Sequence, residues 1–405
     1  MPERDAEPYR QLLKPAAIRA RAREMLALGV AGKLLHFTVD MAALPACADY
    51  VLEATRGSYP TLDIPFHARW RHFNVAGIDR WTALDLAANF PDSAARGRAA
   101  YDLAVVSVLL DAGAGPDWRY RDARSGRRIG RSEGLALASL DMFAAGIFSS
   151  DAASALRADA AALKRLDAET LAAGFQAGRD NPLLALEGRA ALLNRLGEEL
   201  ERQGLNRPGD LFDRFIGVAS TGTIRAGHIL AEVLGVFGGI WPSRLTLAGV
   251  PLGDTWRHPL IAPGEAAAGL VPFHKLSQWL SYSLIEPLQW AGIEVIDIDD
   301  LTGLPEYRNG GLFIDAGVLA LKDEADFGRA HEVGSTLVVE WRALTVALLD
   351  DTGALIRNRL GRTREELPLA RVLEGGTWAA GRRIAAERRA GGGPPLTIIS
   401  DGTVF

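Results

Sequence analysis

The sequence predicts a mainly α protein, one large helical domain with a small β element. Several long segments space leucine and alanine three and four residues apart, which lines one face of a helix with apolar side chains. Strand-like runs are few and short, and turn-forming residues lie close to them. The glycine- and proline-rich breaks at residues 113–116, 206–209 and 391–395 are too short for interdomain linkers. Residues 1–14 are therefore expected as an N-terminal extension and residues 15–405 as a single domain.

Along the chain, Pro15 opens a helix, with proline suited to a first turn that has no need of its N–H. Residues 101–110 are nearly all apolar and predict a buried helix, closed by the run from Asp111 to Pro116. Residues 152–173 are alanine-rich, with Leu156, Leu163, Leu166 and Leu171 near helical spacing. Residues 183–200 and 337–349 show the same pattern. The strand expectations are residues 245–252, with Gly249 at a turn, and residues 295–298 and 396–399. A helix starting at Lys275 puts Lys275, Gln278, Trp279, Tyr282 and Glu286 on one side and Leu276, Leu280, Leu284 and Leu288 opposite. The leucine stripe is core, and the aromatic face reads as a pocket wall or as a partly exposed surface.

With 405 residues, 48% hydrophobic and 23% charged, the composition is that of an ordinary soluble globular protein with a large core. A net charge of −5 argues against general binding to nucleic acid or an anionic membrane, so an anionic ligand must be met by a few aimed cations. The single Cys47 excludes an intramolecular disulfide and a thiolate metal framework. The opening MPERDAEPYR has no apolar core of a signal peptide, and the apolar run at 103–110 is far short of a membrane span, so a cytoplasmic location is expected.

Three constellations carry chemistry. Glu306-Tyr307-Arg308 follows Pro305 and precedes Asn309-Gly310-Gly311, where the glycine pair permits a tight reversal. A carboxylate there suits stabilisation of an oxocarbenium-like centre and activation of water, and an ordinary Glu–Arg surface pair is the other reading. In the segment Asp63 to Phe73, Arg69, Trp70, Arg71 and His72 stand beside Phe66, His67 and Phe73. Arginine forks suit phosphate and aromatic planes suit a planar leaving group, although arginine stems packed on aromatic rings explain the pattern equally. Trp118-Arg119-Tyr120-Arg121 repeats the alternation. His67 and His72 have no third ligand nearby, so no metal is expected. No phosphate-binding P-loop or dinucleotide glycine fingerprint occurs. The run from Gly130 to Gly134 reads as phosphate-friendly or as a helix capped by Ser132.

The stretches HFTVD (36–40), YPTLDIPFHARWRHF (59–73), YDLAVVSVLLDAGAGPDWRYRD (101–122), VPFHKLSQWL (271–280), LTGLPEYRNGG (301–311), LEGGTWAAGRR (373–383) and PPLTIISDGTVF (394–405) carry a resemblance to a known family. From Pro15 onward the chain resembles the uncharacterised-domain family that accompanies fungal and bacterial uracil-catabolism genes. That pathway opens the uracil ring of a nucleotide and passes through a ribosylurea before urea is released, so the resemblance implies a step near the ribosyl–urea bond. A more distant similarity is to the queuosine-salvage N-glycosidases, helical proteins likened to helix-hairpin-helix DNA glycosylases. Phe273, Lys275 and Gln278 fit their Phe-x-Lys-x-x-Gln helix. Leu301, Thr302, Glu306, Tyr307 and Arg308 fit their Ile-Thr-x-Phe-Ala-Asp-Tyr-Arg run, with Glu306 in place of the acting aspartate. The segment VLLDAGAGP, Trp378 and Arg382 are further matches.

Together these imply a hydrolase that cleaves the N-glycosidic bond of a ribosylurea, 5-phosphorylated, to urea and ribose 5-phosphate without a metal or cofactor. Glu306 is the expected catalytic group. Lys275, Arg308, Arg69, Arg71 and His72 are expected at the phosphate, Trp70, Trp118 and Trp279 at the leaving group, and Tyr307, Gln278 and Tyr282 elsewhere along the substrate. The expected partners are a small phosphorylated ribosyl substrate and other uracil-catabolism enzymes, with neither nucleic acid nor membrane. Two alternatives stay open: attack on the ureido carbonyl, and a non-catalytic nucleotide-binding partner of the ring-opening enzyme. The terminal SDGTVF is expected to be held rather than free.

Overall fold

The computed structural model describes residues 3–399 except 112, 220, 242–244 and 265, with side chains from residue 6 onward. The terminal SDGTVF lies outside the described residues. The protein is mainly α, and its strands are two or three residues long. It divides into two compact units: Met1–His67, Ser243–Gln278 and Asp297–Phe405 form unit 1, and Ala68–Pro242 with Trp279–Ile296 forms unit 2. The helix Lys275–Trp290 gives its first turn to unit 1 and the remainder to unit 2. Among the described residues no helix is long and apolar enough to cross a membrane.

Unit 1 is built around the helix Thr336–Leu360. Ser335 caps its start by accepting the Val338 N–H, and Gly361, at φ 62°, ends it in a left-handed conformation. Its first half is buried on every side, from Leu337 to Leu349, because the helices Pro15–Val30, Leu44–Ser58 and Tyr307–Asp315 all pack on it. Segments expected as extension and strand also settle here. Residues 3–11 form a helix, with Ala6 and Leu12 in a cluster with Val250, Leu252, Ala267 and Leu270. The expected strand at 245–252 is a hairpin of Thr246–Leu247 and Val250–Pro251, reversed at Ala248 (φ 48°) and Gly249 (φ 77°). Thr397–Ile399 pairs in parallel with Ala330–Glu332, and Phe37–Val39 pairs antiparallel with Leu319–Leu321.

Unit 2 surrounds the helix Ser93–Leu109, which Asp92 caps by accepting the Ala95 N–H at 2.7 Å. From Ala99 to Leu109 every residue is buried, so the apolar run read from the sequence is the inner part of a longer helix. The helices Arg131–Ala144 and Asp210–Val218 pack on it. Asp102, wholly enclosed, accepts from Arg207 Nη2 (2.6 Å), the Gly209 N–H (2.6 Å) and the Ala158 N–H (2.8 Å), while burial pushes its pKa up to about 6. Glu294–Ile296 is a strand, parallel to Thr223–Arg225.

Four local expectations are corrected. Residues 152–173 are not one helix: turns lead to two short helices, Ala160–Leu163 and Ala168–Gly174. Asp159 and Asp167 each accept a backbone N–H at a new helix start, so these aspartates cap rather than continue a helix. The helix expected to be capped by Ser132 begins at Arg131, with no side-chain cap. On the Lys275 helix, Gln278 and Tyr282 are as fully buried as the leucines, so the helix has no partly exposed aromatic face.

The fourth correction concerns Gly310 and Gly311, which lie inside the helix Tyr307–Asp315 instead of making a reversal. A Cβ on Gly310 would meet the Trp341 ring at 2.7 Å, so glycine here sets the distance between two helices. Gly381, on the helix Trp378–Arg388, does the same against the Arg308 carbonyl oxygen. Gly381→Ala should therefore cost about 1–3 kcal/mol in chemical unfolding, through overpacking against rigid backbone. Gly235→Ala, on an exposed helical site with open space around it, should gain about 0.5–1 kcal/mol in the same measurement.

Candidate functional site

The candidate site lies in unit 1 and starts from a helix N-terminus. Glu306 is extended (φ −109°, ψ 166°) and forms the N-cap of Tyr307–Asp315. Its carboxylate accepts the Arg308 N–H on Oε2 (2.8 Å) and the Asn309 N–H on Oε1 (2.5 Å), meeting two donors that the helix leaves without intrahelical partners. Asn309 Nδ2 donates to the Leu304 carbonyl (3.1 Å) and closes the loop beneath it. Arg308 turns away: it is buried, donates from Nη1 to the Gly392 carbonyl (2.7 Å) and lies over the Tyr307 ring at 4.9 Å. Carboxylate and guanidinium thus have separate partners, and the surface-pair reading does not hold.

Lys275 is placed by a second helix start. Its N–H donates to Asp254 Oδ2 at 3.0 Å, and Asp254 is held in turn by Arg342 Nη1 (2.8 Å), Arg342 Nη2 (2.7 Å) and Trp256 Nε1 (2.6 Å). Gln278 ties this helix to the segment before Glu306: its Oε1 accepts the Thr302 N–H at 3.0 Å, and its Nε2 donates to Thr302 Oγ1.

A third wall comes from residues that the sequence reading did not place in the site. Leu373–Thr377, LEGGT, is a π-helical turn leading into the helix at Trp378. A Cβ on Gly376 would clash with Thr55 Oγ1, and one on Gly375 would meet Ile64 Cδ1 at 2.9 Å, so this turn presses against the helix Leu44–Ser58. Glu374 on the turn bonds His67 Nδ1 through Oε2 (2.8 Å) and accepts from the Tyr59 hydroxyl on Oε1 (3.2 Å). The His67 and Trp378 ring centroids are 6.4 Å apart. The helix Tyr307–Asp315 packs on the π-turn, and the His67 charge reaches Glu306. The one local signal was the glycine pair inside an otherwise helical LEGGTWAAG, since π-turns gather at functional sites.

Burial raises the Glu306 pKa above the ordinary glutamate value, and this outweighs the opposing pull of the Arg308 and Asn309 N–H groups and of the Lys275 and His67 charges. A carboxylate with its ionised form partly paid for by helix N–H groups, yet still strained by desolvation, is suited to accept a proton. Among the described residues no three His, Cys, Asp or Glu side chains gather as a metal ligand set.

The other sequence candidates belong to unit 2. Arg69 is fully enclosed: Nε donates to Ser107 Oγ (2.6 Å), Nη1 faces Asp111 Oδ2 (3.2 Å), and the guanidinium lies 5.5 Å from the Trp279 ring. Arg71 Nη2 pairs with Glu286 Oε1 at 2.8 Å. Both arginines already face a carboxylate, which a phosphate would have to displace. His72 stands edge-on to Trp279, with centroids 5.5 Å apart. Trp70 is buried between Trp81 and Trp290, at 5.0 and 4.9 Å, and donates to the Ser283 carbonyl. Trp118 is enclosed and donates to the Phe175 carbonyl at 3.0 Å, and Tyr282 is enclosed as well.

A family described as "Protein of unknown function (DUF1688)" matches residues 11–405, and the chain belongs to that family. Protein urg3 of Schizosaccharomyces pombe is 40% identical over 412 residues, spanning 98% of this chain and 99% of that protein. Uracil catabolism protein 4 of Lachancea kluyveri is 34% identical, spanning 91% of this chain and 92% of that protein.

The Glu306 cap can be tested by stability. Its folded pKa is above its unfolded one, so the folded state holds the proton more tightly, and this group's contribution to stability falls as pH rises from the ordinary glutamate value through the raised one. The stability of the wild type relative to Glu306→Gln, by urea unfolding, should thus decline as pH rises from about 4, the ordinary glutamate value. A flat or rising difference counts against a desolvated carboxylate. Glu306→Ala should lose about 1 kcal/mol at pH 4, where only the cap is at stake.

Proposed function

We propose that this protein acts in uracil catabolism as an N-glycoside hydrolase, cleaving a 5-phosphorylated ribosylurea to urea and ribose 5-phosphate. The observation that carries the reading is Glu306, a desolvated carboxylate held by two helix N–H groups beside Lys275 and His67. The name Uracil catabolism protein 4 of the Lachancea kluyveri relative supports the pathway. The likeness of Phe273, Lys275, Gln278 and Glu306 to the N-glycosidase pattern supports the bond.

Departure of urea leaves positive charge on the anomeric carbon and ring oxygen. An ionised Glu306 stabilises that charge and takes a proton from the water that attacks the anomeric carbon. The two N–H bonds hold the carboxylate still, so little reorganisation accompanies the charge development. Lys275 favours the ionised form of Glu306 against the effect of burial and offers a cation for the phosphate of the substrate, while Arg308, bonded to the Gly392 carbonyl, stiffens the helix start. Association with other enzymes of the pathway belongs to the same proposal.

Purified protein given ribosylurea 5-phosphate should release urea and ribose 5-phosphate in equal amounts. Glu306→Gln should lower the rate about 10²–10⁴-fold. Release of ammonia and carbon dioxide without free ribose phosphate would instead indicate attack on the ureido carbonyl, and binding without turnover a non-catalytic role. The charge of Lys275 lowers the Glu306 pKa, so Lys275→Met should raise it and move the acidic limb of the kcat–pH profile to higher pH. An unmoved limb means that another group titrates.

A further inference from the structure

We propose that His67 is the general acid that protonates the departing urea nitrogen, and that Glu374 is the positioning residue holding its ring. This rests on the N-glycosidase reading above. Urea is a poor leaving group as an anion, so an attacking-side carboxylate leaves half of the chemistry undone: a proton must reach the nitrogen as the bond breaks.

His67 has the arrangement such a donor needs. Its Nδ1 bonds Glu374 Oε2 at 2.8 Å, which fixes the ring, and the proposal assigns the donated proton to Nε2. Glu374 cannot swing away, because the Tyr59 hydroxyl holds its other oxygen at 3.2 Å and its own backbone belongs to the π-turn pressed onto the helix Leu44–Ser58. The backbone of His67 is also pinned, its N–H donating to the Ala370 carbonyl at 2.9 Å. The imidazole is 7% exposed and lies beside Trp378, a site shielded from bulk water. The π-turn packs on the helix that Glu306 caps, so the acid and the base come from elements in contact.

The step balances. The bond between the anomeric carbon and nitrogen breaks with its electron pair on nitrogen, and the proton on His67 Nε2 passes to that nitrogen, giving neutral urea. Water adds its oxygen to the anomeric carbon and gives a proton to Glu306. That proton leaves to solvent, neutral His67 takes one up, and one water has been consumed.

The test uses two leaving groups with full-length protein. Ribosylurea 5-phosphate needs a proton on its leaving group; 4-nitrophenyl riboside 5-phosphate, which releases nitrophenolate, does not. His67→Asn should lower kcat/KM on the first by about 10²–10⁴-fold and on the second by at least 10-fold less. Glu374→Gln should show the same selectivity with a smaller loss, about 10–100-fold. His67→Gln, able to keep the bond to Glu374, guards against misfolding of the asparagine variant and should show the same selectivity. Glu306→Gln should lose activity on both substrates. Equal losses on both substrates for His67→Asn and His67→Gln, or no loss on either, overturn the assignment of the acid while leaving Glu306 in place. No turnover of either substrate by the wild type, or a silent Glu306→Gln, overturns the glycosidase reading and the acid with it.

Discussion

The Asp254 carboxylate is the constraint from which the geometry of unit 1 follows. It receives both Nη atoms of Arg342 from the long central helix, Trp256 Nε1, and the Lys275 N–H at the start of another helix. Arg342 is 1% exposed and stacked 4.1 Å from Phe273, so neither charge has water to fall back on. Buried pairs of this kind contribute little net stability, but removing one partner leaves an uncompensated charge, at a cost of about 3–5 kcal/mol. Their value is orientation. Once the Lys275 helix start is fixed, Gln278 grips Thr302, and the short run from Thr302 to Glu306 has little freedom left. A lysine and a glutamate far apart in sequence are thereby held in electrostatic contact.

Around that anchor the site is assembled from places where helices begin or distort. Glu306 occupies an N-terminus, where orphan N–H groups and the helix dipole favour an anion, and still its pKa is raised because burial is the larger effect. Glu374 occupies a π-turn, where the widened backbone turns a glutamate toward His67. Gly310, Gly376 and Gly381 let the surrounding helices approach closely enough for these irregular points to meet. Close packing therefore keeps the polar chain fixed, because each glycine contact is with a ring, a side chain or a backbone that has little room to yield.

What was legible in the sequence follows from the range of the interactions concerned. The helices at Pro15 and Lys275 could be read because periodicity and a proline at the first turn are local signals. Glu306 stood out because Pro305 before it and the glycine pair after it mark a turn within a few residues. The glycine pair behind it was misread as a reversal, since its cause is Trp341, on another helix. Likewise nothing near His67 in the sequence announces Glu374, and nothing near Tyr59 announces either: these are tertiary contacts spanning some three hundred residues. The lost helix at 152–173 failed for the opposite reason, because local capping by Asp159 and Asp167 outweighed alanine's helix propensity.

The same geometry bears on which bond is attacked in the proposed reaction. Hydrolysis at a ureido carbonyl passes through a tetrahedral oxyanion, which wants N–H donors aimed at empty space. The donors at the start of the Tyr307 helix include the Arg308 and Asn309 N–H groups, and both are occupied by Glu306. An anion is thus already built into the place where an oxyanion would sit. A fixed carboxylate is instead the complement of a cation, and a ribosyl centre losing its nitrogen becomes one. The charge carried by Glu306 therefore favours the anomeric carbon over the carbonyl as the point of attack in the proposed reaction.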